Sequence, residues 1–352
     1  MWILKILIYL SGALAIILTV LPFLKFSVWW VRIGDFPRLQ IAFFCIMAAA
    51  LLFFTSNPLG SIEIVFLALL TACAIYQLYC VLPYLPFYPK QVQKISVPIA
   101  ENTIKILIFN VFVENRESDK LLTLIKKVNP DLILLAEPDE RWLSEVSELE
   151  KSYPFTVLHP LDNAYGMALY SRLKLIEPKL NFFIEDDVPS IITGVKLVSG
   201  EFIDLYCLHP RPPVPTESDR STERDAELLF VGRMINESDV PTIVAGDLND
   251  VAWSRTTSLF QKISGLLDPR IGRGLYGSFH ARYPLVRFPL DHVFHSNHFR
   301  LAELRRLPNI GSDHFPIFIA LTYEKTAELM QEEPVATTEE EKEAVETIAE
   351  AV

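Results

Sequence analysis

The sequence predicts a mixed α/β domain carried behind three membrane-spanning helices. Three observations predict it. Charge-free apolar runs crowd the first 89 residues. From residue 101 onward, short β-rich runs alternate with helical patterns. Around residues 191–208 two strand patterns follow one another with only a turn between them, which implies hairpins rather than a purely parallel sheet.

The membrane region covers residues 1–89. Residues 6–24, 39–62 and 64–89 carry no charge. A bilayer needs about 20 apolar residues per helix, so spans are expected at about 6–24, 39–57 and 64–86. The competing reading of the first run is a cleaved signal peptide, with Lys5 as its basic end and Ala13-Leu14-Ala15 as its cleavage site. The apolar run continues past Ala15 and two further spans follow, so a membrane helix is the better reading. The polar stretch around "YPKQVQKISVP" makes residues 90–100 a linker.

The α/β domain is expected over residues 101–323. "TIKILIFNVF" (103–112) is β-rich. "RESDKLLTLIKKVN" (116–129) places Leu121, Leu124, Ile125 and Val128 at helical spacing, with Ser118 as the cap. "PDLILLAE" (130–137) is a buried strand, and "DERWLSEVSELEKS" is helical. Strands follow at "YGMALYS", "IITGVKL" and "EFIDLYCLH". A helix covers about 219–237, and "PTIVAGDLND" (241–250), "PLDHVFHS" (289–296) and "FPIFIALTY" (315–323) are late strands. Residues 324–352 are expected as a disordered acidic tail: from 326 on, nine acidic residues face one Lys and no aromatic.

Composition narrows the function. Residues 101–325 hold 25 Lys and Arg against 32 Asp and Glu, a net charge of −7. Backbone-driven nucleic-acid binding usually shows a basic surface, so it is disfavoured. Cys45, Cys73 and Cys80 fall in the expected spans and Cys207 stands alone, so neither a disulfide framework nor a Cys/His metal spacing exists.

Several strands end in the same chemical type. Asn110, Glu137, His209, Asp247 with Asn249, Asp291, and Asp313 with His314 all stand at strand termini. Any one of them alone reads as a cap, a turn or a satisfied histidine. Six such coincidences point to a shared site. Asn110, Glu137 and Asp313 are hard oxygen donors of the kind Mg²⁺ or Mn²⁺ accepts. His209 and His314 could contact an anion, and Asp291 could orient one of them. Acids, one hard metal and imidazoles suit attack of water on a phosphoryl group. On an extended chain Asp247 and Asn249 would point the same way, with Asp250 on the other face as a turn residue. Arg211 in the proline-rich segment 209–225, and Arg282 and Arg287 in a basic-aromatic segment, are weaker candidates for substrate contact.

The ordered motifs Asn110, "LLAE" (134–137), "YGMALYSR" (165–172), "LHP" (208–210), "GDLN" (246–249), "LDHVF" (290–294) and "SDHFP" (312–316) resemble the endonuclease/exonuclease/phosphatase superfamily. The resemblance implies a four-layer fold, two β-sheets face to face with helices outside. It implies Glu137 as the main metal ligand, with Asn110 beside it and Asp313 at the metal. Asp247 would align the attacking water, Asn249 and His209 would contact phosphate, and Asp291 would orient His314. "HPRPPVP" followed by "RDAELL", behind the membrane region, is similar to a bacterial branch that includes a VanJ-type teicoplanin-resistance protein.

The function expected is a membrane-anchored metal-dependent phosphoesterase acting on a small or lipid-linked phosphate ester. A nuclease and a catalytically inactive interaction domain are the alternatives. Lys25, Arg32 and Arg38 make the loop 25–38 cytoplasmic by the positive-inside rule, and three spans then put the catalytic domain inside. The branch resemblance implies an outward-facing domain in the cell membrane, and that is the reading adopted.

Overall fold

Long apolar helices come first among the described residues. The computed structural model describes residues 2–56 and 58–351. Met1, Asn57 and Val352, which fall inside the expected first span region, second span and tail, lie outside the described residues. Helix α1 (Trp2–Val20) continues into a 3₁₀ turn; α2 (Trp29–Arg32) is a single turn; α3 (Arg38–Thr55) and α4 (Ser61–Val81) follow. Three helical stretches, Trp2–Leu24, Arg38–Thr55 and Ser61–Tyr84, are long and apolar enough to cross a membrane. Their shared seam is made by Ile8, Ala15, Ile41, Cys45, Leu52, Leu70 and Ala74. At the end nearer the rest of the chain the seam turns polar: Arg38 donates to Asp35 (2.6 Å) and to Gln77 (3.1 Å), and Gln77 donates to Thr19 (3.0 Å).

The α/β part begins with β1 (Thr103–Asn110), α5 (Ser118–Val128), β2 (Leu132–Ala136) and α6 (Glu140–Glu145). Strands β3 (Phe155–His159), β4 (Met167–Ser171), β5 (Lys174–Asn181), β6 (Ser190–Lys196) and β7 (Phe202–Leu208) precede α7 (Thr222–Asn236). Then come β8 (Thr242–Asp247), α8 (Arg255–Ser264), β9 (Asp291–His295), β10 (Phe299–Arg306), β11 (Ile317–Tyr323) and α9 (Thr338–Ala351). Among the described residues the strands form a six-stranded sheet, β10-β11-β1-β2-β4-β3, and a five-stranded sheet, β5-β6-β7-β8-β9. Only β1–β2 and β7–β8 pair in parallel.

Strand alternation sorts the core into layers. Ile104, Ile106 and Ile108 of β1 meet Leu205 and Cys207 of β7 and Ile243 and Ala245 of β8 between the sheets. The alternate residues Leu107 and Phe109 face Leu121, Leu124 and Trp142 of the helices outside. Tyr206 and Val244 do the same against Leu228, Val231 and Phe260. The expected four layers are present.

The structure corrects several readings. Ser118 is the first helical residue rather than the cap, and the capping position, Glu117, makes no side-chain cap bond. Strands β3, β5 and β10 go unanticipated, and so does helix α8, although Thr256, Leu259, Phe260 and Ile263 fall at helical spacing on its buried face. The tail is not a solvated coil: α9 lies on α7 and α8, with Ala344 buried and Ile348 packed beside it. Glu343 and Glu340 pair there with Arg255 and Lys262. Its acids meet basic residues that lie far away in sequence. The stretch read as a linker is also docked: Val92 is buried, the Ile95 amide donates to the Leu301 carbonyl (3.0 Å), and the Leu301 amide donates to the Gln93 carbonyl (2.9 Å) along the β10 edge.

The apolar helices are tied to the α/β part through the loop after α1. Arg32 donates to Asp225 (2.9 Å) and Thr256 (2.7 Å), and the Trp253 indole donates to the Asp35 carbonyl (2.7 Å). Tyr84, just past α4, donates to the Ala252 carbonyl (2.5 Å).

Candidate active site

Both sheets present their catalytic candidates at one rim. The parallel pair β1–β2 ends there at Asn110 and just before Glu137. The parallel pair β7–β8 ends there just before His209 and at Asp247. The antiparallel neighbours start from it: Asp291 opens β9 directly opposite Asp247, and β11 begins shortly after His314. Chain direction thus gathers residues spread from 110 to 314 at one rim, with Asp247 and Asp291 buried behind the cavity-lining His314.

The backbone at this rim takes conformations that few residues tolerate. Gly246 has φ 152°, and a Cβ there would lie 1.9 Å from the Leu208 carbonyl oxygen of β7. Glu137 has φ 63°, and its amide donates to the Gly166 carbonyl at 2.9 Å. A Cβ on Gly166 would in turn meet the Pro138 oxygen at 2.0 Å. Strain of this kind persists only where the surroundings enforce it.

Asn249 departs from the expected extended geometry. Its φ is 51°, so it reaches the cavity through a turn, its amide nitrogen bound to Asp247 Oδ1 (3.0 Å) and its side chain donating to the Pro210 carbonyl (2.9 Å). Asp250 turns inward, accepting from Val251 N (2.9 Å) and Thr257 Oγ1 (3.2 Å), which is the turn role its spacing predicts.

A hydrogen-bonded chain crosses the rim. Asn110 Nδ2 donates to Glu137 Oε1 (2.7 Å) and to Asp247 Oδ2 (3.0 Å), linking the two sheets. His314 lies between two carboxylates, Nδ1 at 2.7 Å from Asp291 Oδ2 and Nε2 at 3.4 Å from Asp247 Oδ2. Burial alone would lower the His314 imidazole; Asp291 and Asp247 outweigh it and raise it to about 10. Burial would raise Asp247, but the His314 charge and the Asn110 hydrogen bond hold it below the ordinary carboxylate value. Burial pushes Asp291 up, and His314 offsets only part of that. His209 is kept neutral by burial, and its Nδ1 has no partner among the described residues.

Asp247, Asp291 and His314 bring their ligand atoms within 4.8 Å of one another. A protonated His314, hydrogen-bonded to Asp291 through Nδ1 and ion-paired with Asp247 through Nε2, offers a metal no lone pair, so this trio is an ion-paired cluster rather than a metal cage. Glu137 fits a cation better. Removal from water raises its carboxyl to about 7, with Asp247 and Asp313 adding to the shift against the Asn110 hydrogen bond. Among the described residues no Lys, Arg or His comes within 4 Å of it, so its charge has no built-in partner. Asp313 lines the same cavity. Asn110 presents its NH₂ to Glu137 and its oxygen to the Phe112 amide (3.0 Å), so metal ligation by Asn110 requires the amide to rotate.

The cavity encloses about 350 Å³. Asn110, Glu137, His209, Asn249, Asp313 and His314 line it together with apolar Phe36, Val214 and Phe279. The three arginine candidates do not. Arg211 is held by Glu185 (2.7 Å) and Asp187 (2.8 Å) and stacks on Tyr165. Arg282 donates to the Gly311 carbonyl, and Arg287 stacks on Phe315 and lines a different groove. Basic residues within a cavity-lining loop were read as facing the cavity; local carboxylates and rings turn them elsewhere.

Sequence reasoning missed Ser312, Ser278 and Phe36, and placed Phe279 only within the basic-aromatic segment. Ser312 Oγ donates to the Asn110 carbonyl (2.8 Å) and accepts from the His314 amide (2.9 Å), fixing that loop to β1. Ser278 Oγ accepts from the Asp291 amide (3.1 Å). Phe279 packs on His314 with ring centroids 5.1 Å apart. Ser312 was within reach, next to the acid-imidazole pair of "SDHFP". Phe36 carries no signal at all, because it comes from the loop between the first two long apolar helices.

A fold of two facing mixed sheets with acids, amides and imidazoles along one rim defines a class of hydrolases acting on phosphate esters. The chain belongs to it: residues 107–314 match the Endonuclease/Exonuclease/phosphatase family. No curated protein matches the chain. Among solved structures it is similar to D. rerio TDP2 humanised by 14 mutations, at 17% identity and a TM-score of 0.51, over 63% of this chain and 99% of that one. It is also similar to an endonuclease/exonuclease/phosphatase family protein of Bacteroides thetaiotaomicron, at 14% identity and TM-score 0.51, over 63% and 95% of the two chains. A third likeness is to the human Nocturnin catalytic domain with bound sulfate, at 17% identity and TM-score 0.50, over 64% and 96%. At these identities the likeness is one of fold.

Proposed function

We propose that the chain is a membrane-anchored, divalent-metal-dependent phosphoesterase whose substrate is a lipid-linked phosphate ester. The observation that carries it is the make-up of the cavity wall: Phe36, from the loop between the first two membrane helices, shares a pocket with Glu137 and His314. A substrate with a phosphate at one end and an apolar tail rooted in the membrane meets matching groups in that order. Tethering also raises the local concentration of such a substrate.

Glu137 and Asp313, with Asn110 after rotation, would hold Mg²⁺ or Mn²⁺, which would supply Lewis-acid polarisation of the phosphoryl oxygens. Asp247, held ionised, orients a water and accepts its proton. His314, held as imidazolium by Asp291, faces the negative charge that develops at phosphorus. His209 and the Asn249 turn bound the phosphate on the other side.

The test uses the full chain in detergent with polyprenyl pyrophosphate, a chromogenic phosphodiester and plasmid DNA, each with Mg²⁺ and with EDTA. EDTA-sensitive phosphate release from the polyprenyl substrate is expected, falling at least 10³-fold in Asp247→Asn as expected for loss of an essential base. Cleavage of plasmid DNA alone would favour the nuclease alternative, and a folded protein inert on all three would favour an interaction domain.

The resemblance to the VanJ-type branch and an outward-facing domain belong to the same proposal. Arg32 and Arg38 of the loop 25–38 are held in buried ion pairs with Asp225 and Asp35, which weakens their use as topology signals. Fusion of alkaline phosphatase or a fluorescent protein to the carboxyl end decides the side: an active phosphatase fusion is expected, a fluorescent one overturns it.

A further inference from the structure

A groove of about 1060 Å³ separates the start of α3 from the α/β part, outside the catalytic cavity. Its apolar walls are Leu39 and Phe43 of α3 and, opposite them, Leu285 at the tip of the loop 283–286. Leu285 is 84% exposed, yet the loop that carries it is fixed in place: Gln40 Nε2 donates to its carbonyl at 2.7 Å. An apolar loop tip tied to the first turn of a membrane-spanning helix lies where headgroups give way to acyl chains.

The floor of the groove is cationic. Arg273, Arg287 and Arg306 line it, and among the described residues none has a carboxylate within 4 Å. Instead they donate to carbonyls: Arg273 to Pro269 (3.1 Å) and to Val92, Arg287 to Ala281 (3.2 Å) and Arg306 to Gly277 (2.9 Å). Arg287 and Arg306 both stack on Phe315, at 4.8 and 4.4 Å from its centroid. Burial, and then the charge of Arg287, lower the Arg306 guanidinium, as expected of like charges held together without a counter-ion. Elsewhere in this acidic chain the buried arginines are matched: Arg32 and Arg224 by Asp225, Arg38 by Asp35, Arg270 by Asp268. In the groove Arg273, Arg287 and Arg306 stand partly exposed with no carboxylate within 4 Å among the described residues, while Arg305 at its edge pairs with Glu303, so the charge of the three is open to an outside anion.

We propose that the groove binds an anionic phospholipid of the surrounding membrane, its phosphate on Arg273, Arg287 and Arg306 and its acyl chains along Leu39, Phe43 and Leu285. Guanidinium groups match phosphate oxygens through paired N–H donors, and the apolar walls select a tailed phosphate over a free one. The site is separate from the catalytic pocket. It rests on the reading that the three helices span the membrane, which extraction of membranes with alkaline carbonate checks independently.

Full-length protein is reconstituted in nanodiscs of phosphatidylcholine with 20% phosphatidylglycerol, a fraction set at roughly that of an anionic leaflet, and native mass spectrometry reads the retained lipid. Retained phosphatidylglycerol is expected to exceed its share in the disc at least fivefold. Arg287→Gln/Arg306→Gln is expected to lose that excess while keeping the wild-type melting temperature, and Leu285→Asp, at an exposed position, to weaken it. Retention in proportion to composition, an excess that survives in the double variant, or displacement of the lipid by millimolar inorganic phosphate each overturns the inference. If carbonate releases the chain, the membrane reading falls instead; if the chain stays in the membrane without lipid preference, only this inference falls.

Discussion

Glu227 lies on α7 beneath β6, far from the rim, and accepts a hydrogen bond from Ser190 Oγ. Burial raises its carboxyl from 4.5 to about 7. The folded state therefore keeps this proton where the unfolded chain has lost it. Stability from this group falls as pH rises between about 4.5 and 7, and the full cost is present above that. Glu227→Gln keeps the acceptor and removes the charge. Chemical denaturation should show the variant more stable than wild type at pH 8, by up to about 3 kcal/mol, and no such gain at pH 4. A gain independent of pH would show that Glu227 is not the titrating group. At the rim, residue types were legible in the sequence because acids, amides and imidazoles at apolar strand ends are unusual. Which of them bond to which was not: the Asp291–His314 pair joins residues from β9 and from the loop before β11, and no spacing encodes it.

At the scale of elements, β8 depends on Gly246 to approach β7. With φ 152° and the Leu208 oxygen 1.9 Å from a would-be Cβ, an alanine cannot be accommodated without moving β8 and Asp247. Gly246→Ala should cost about 3 kcal/mol or more, lowering the melting temperature by roughly 2–4 °C for each kcal/mol. Unaltered melting would mean that the strands can part freely there. Strands with a plain pattern, β1, β2, β8 and β11, could be read from their apolar runs. Strands β3, β5 and β10 were missed because their residues are only half-buried or exposed on one or both faces. Helix α9 was missed because its stability comes from packing on α7 and α8, not from its own acid-rich sequence.

At the scale of the molecule, Arg32 holds the membrane region to the α/β part through Asp225 and Thr256. In Arg32→Ala, Asp225 keeps Arg224 as a partner, so the loss should sit at the low end for a broken buried pair, about 3 kcal/mol. The apolar helices should keep their packing while the adjoining segment loosens, since Trp29 N donates to Asp219 O and Ser221 N to Ser27 O. Limited proteolysis read by mass spectrometry should show faster cleavage within residues 214–221. Unchanged cleavage would show that the two parts are held together elsewhere.

The sequence by itself determined the three apolar helices, the α/β class and the set of candidate catalytic residues, because burial periodicity and residue chemistry are local properties. Only the tertiary structure decided that Asn110 bridges the sheets, that Arg211, Arg282 and Arg287 turn away from the cavity, and that Phe36 of the loop between the first two apolar helices turns into it. Those outcomes depend on which distant groups meet. A side chain's partner is set by chain direction and packing, and neither is written in the residues beside it.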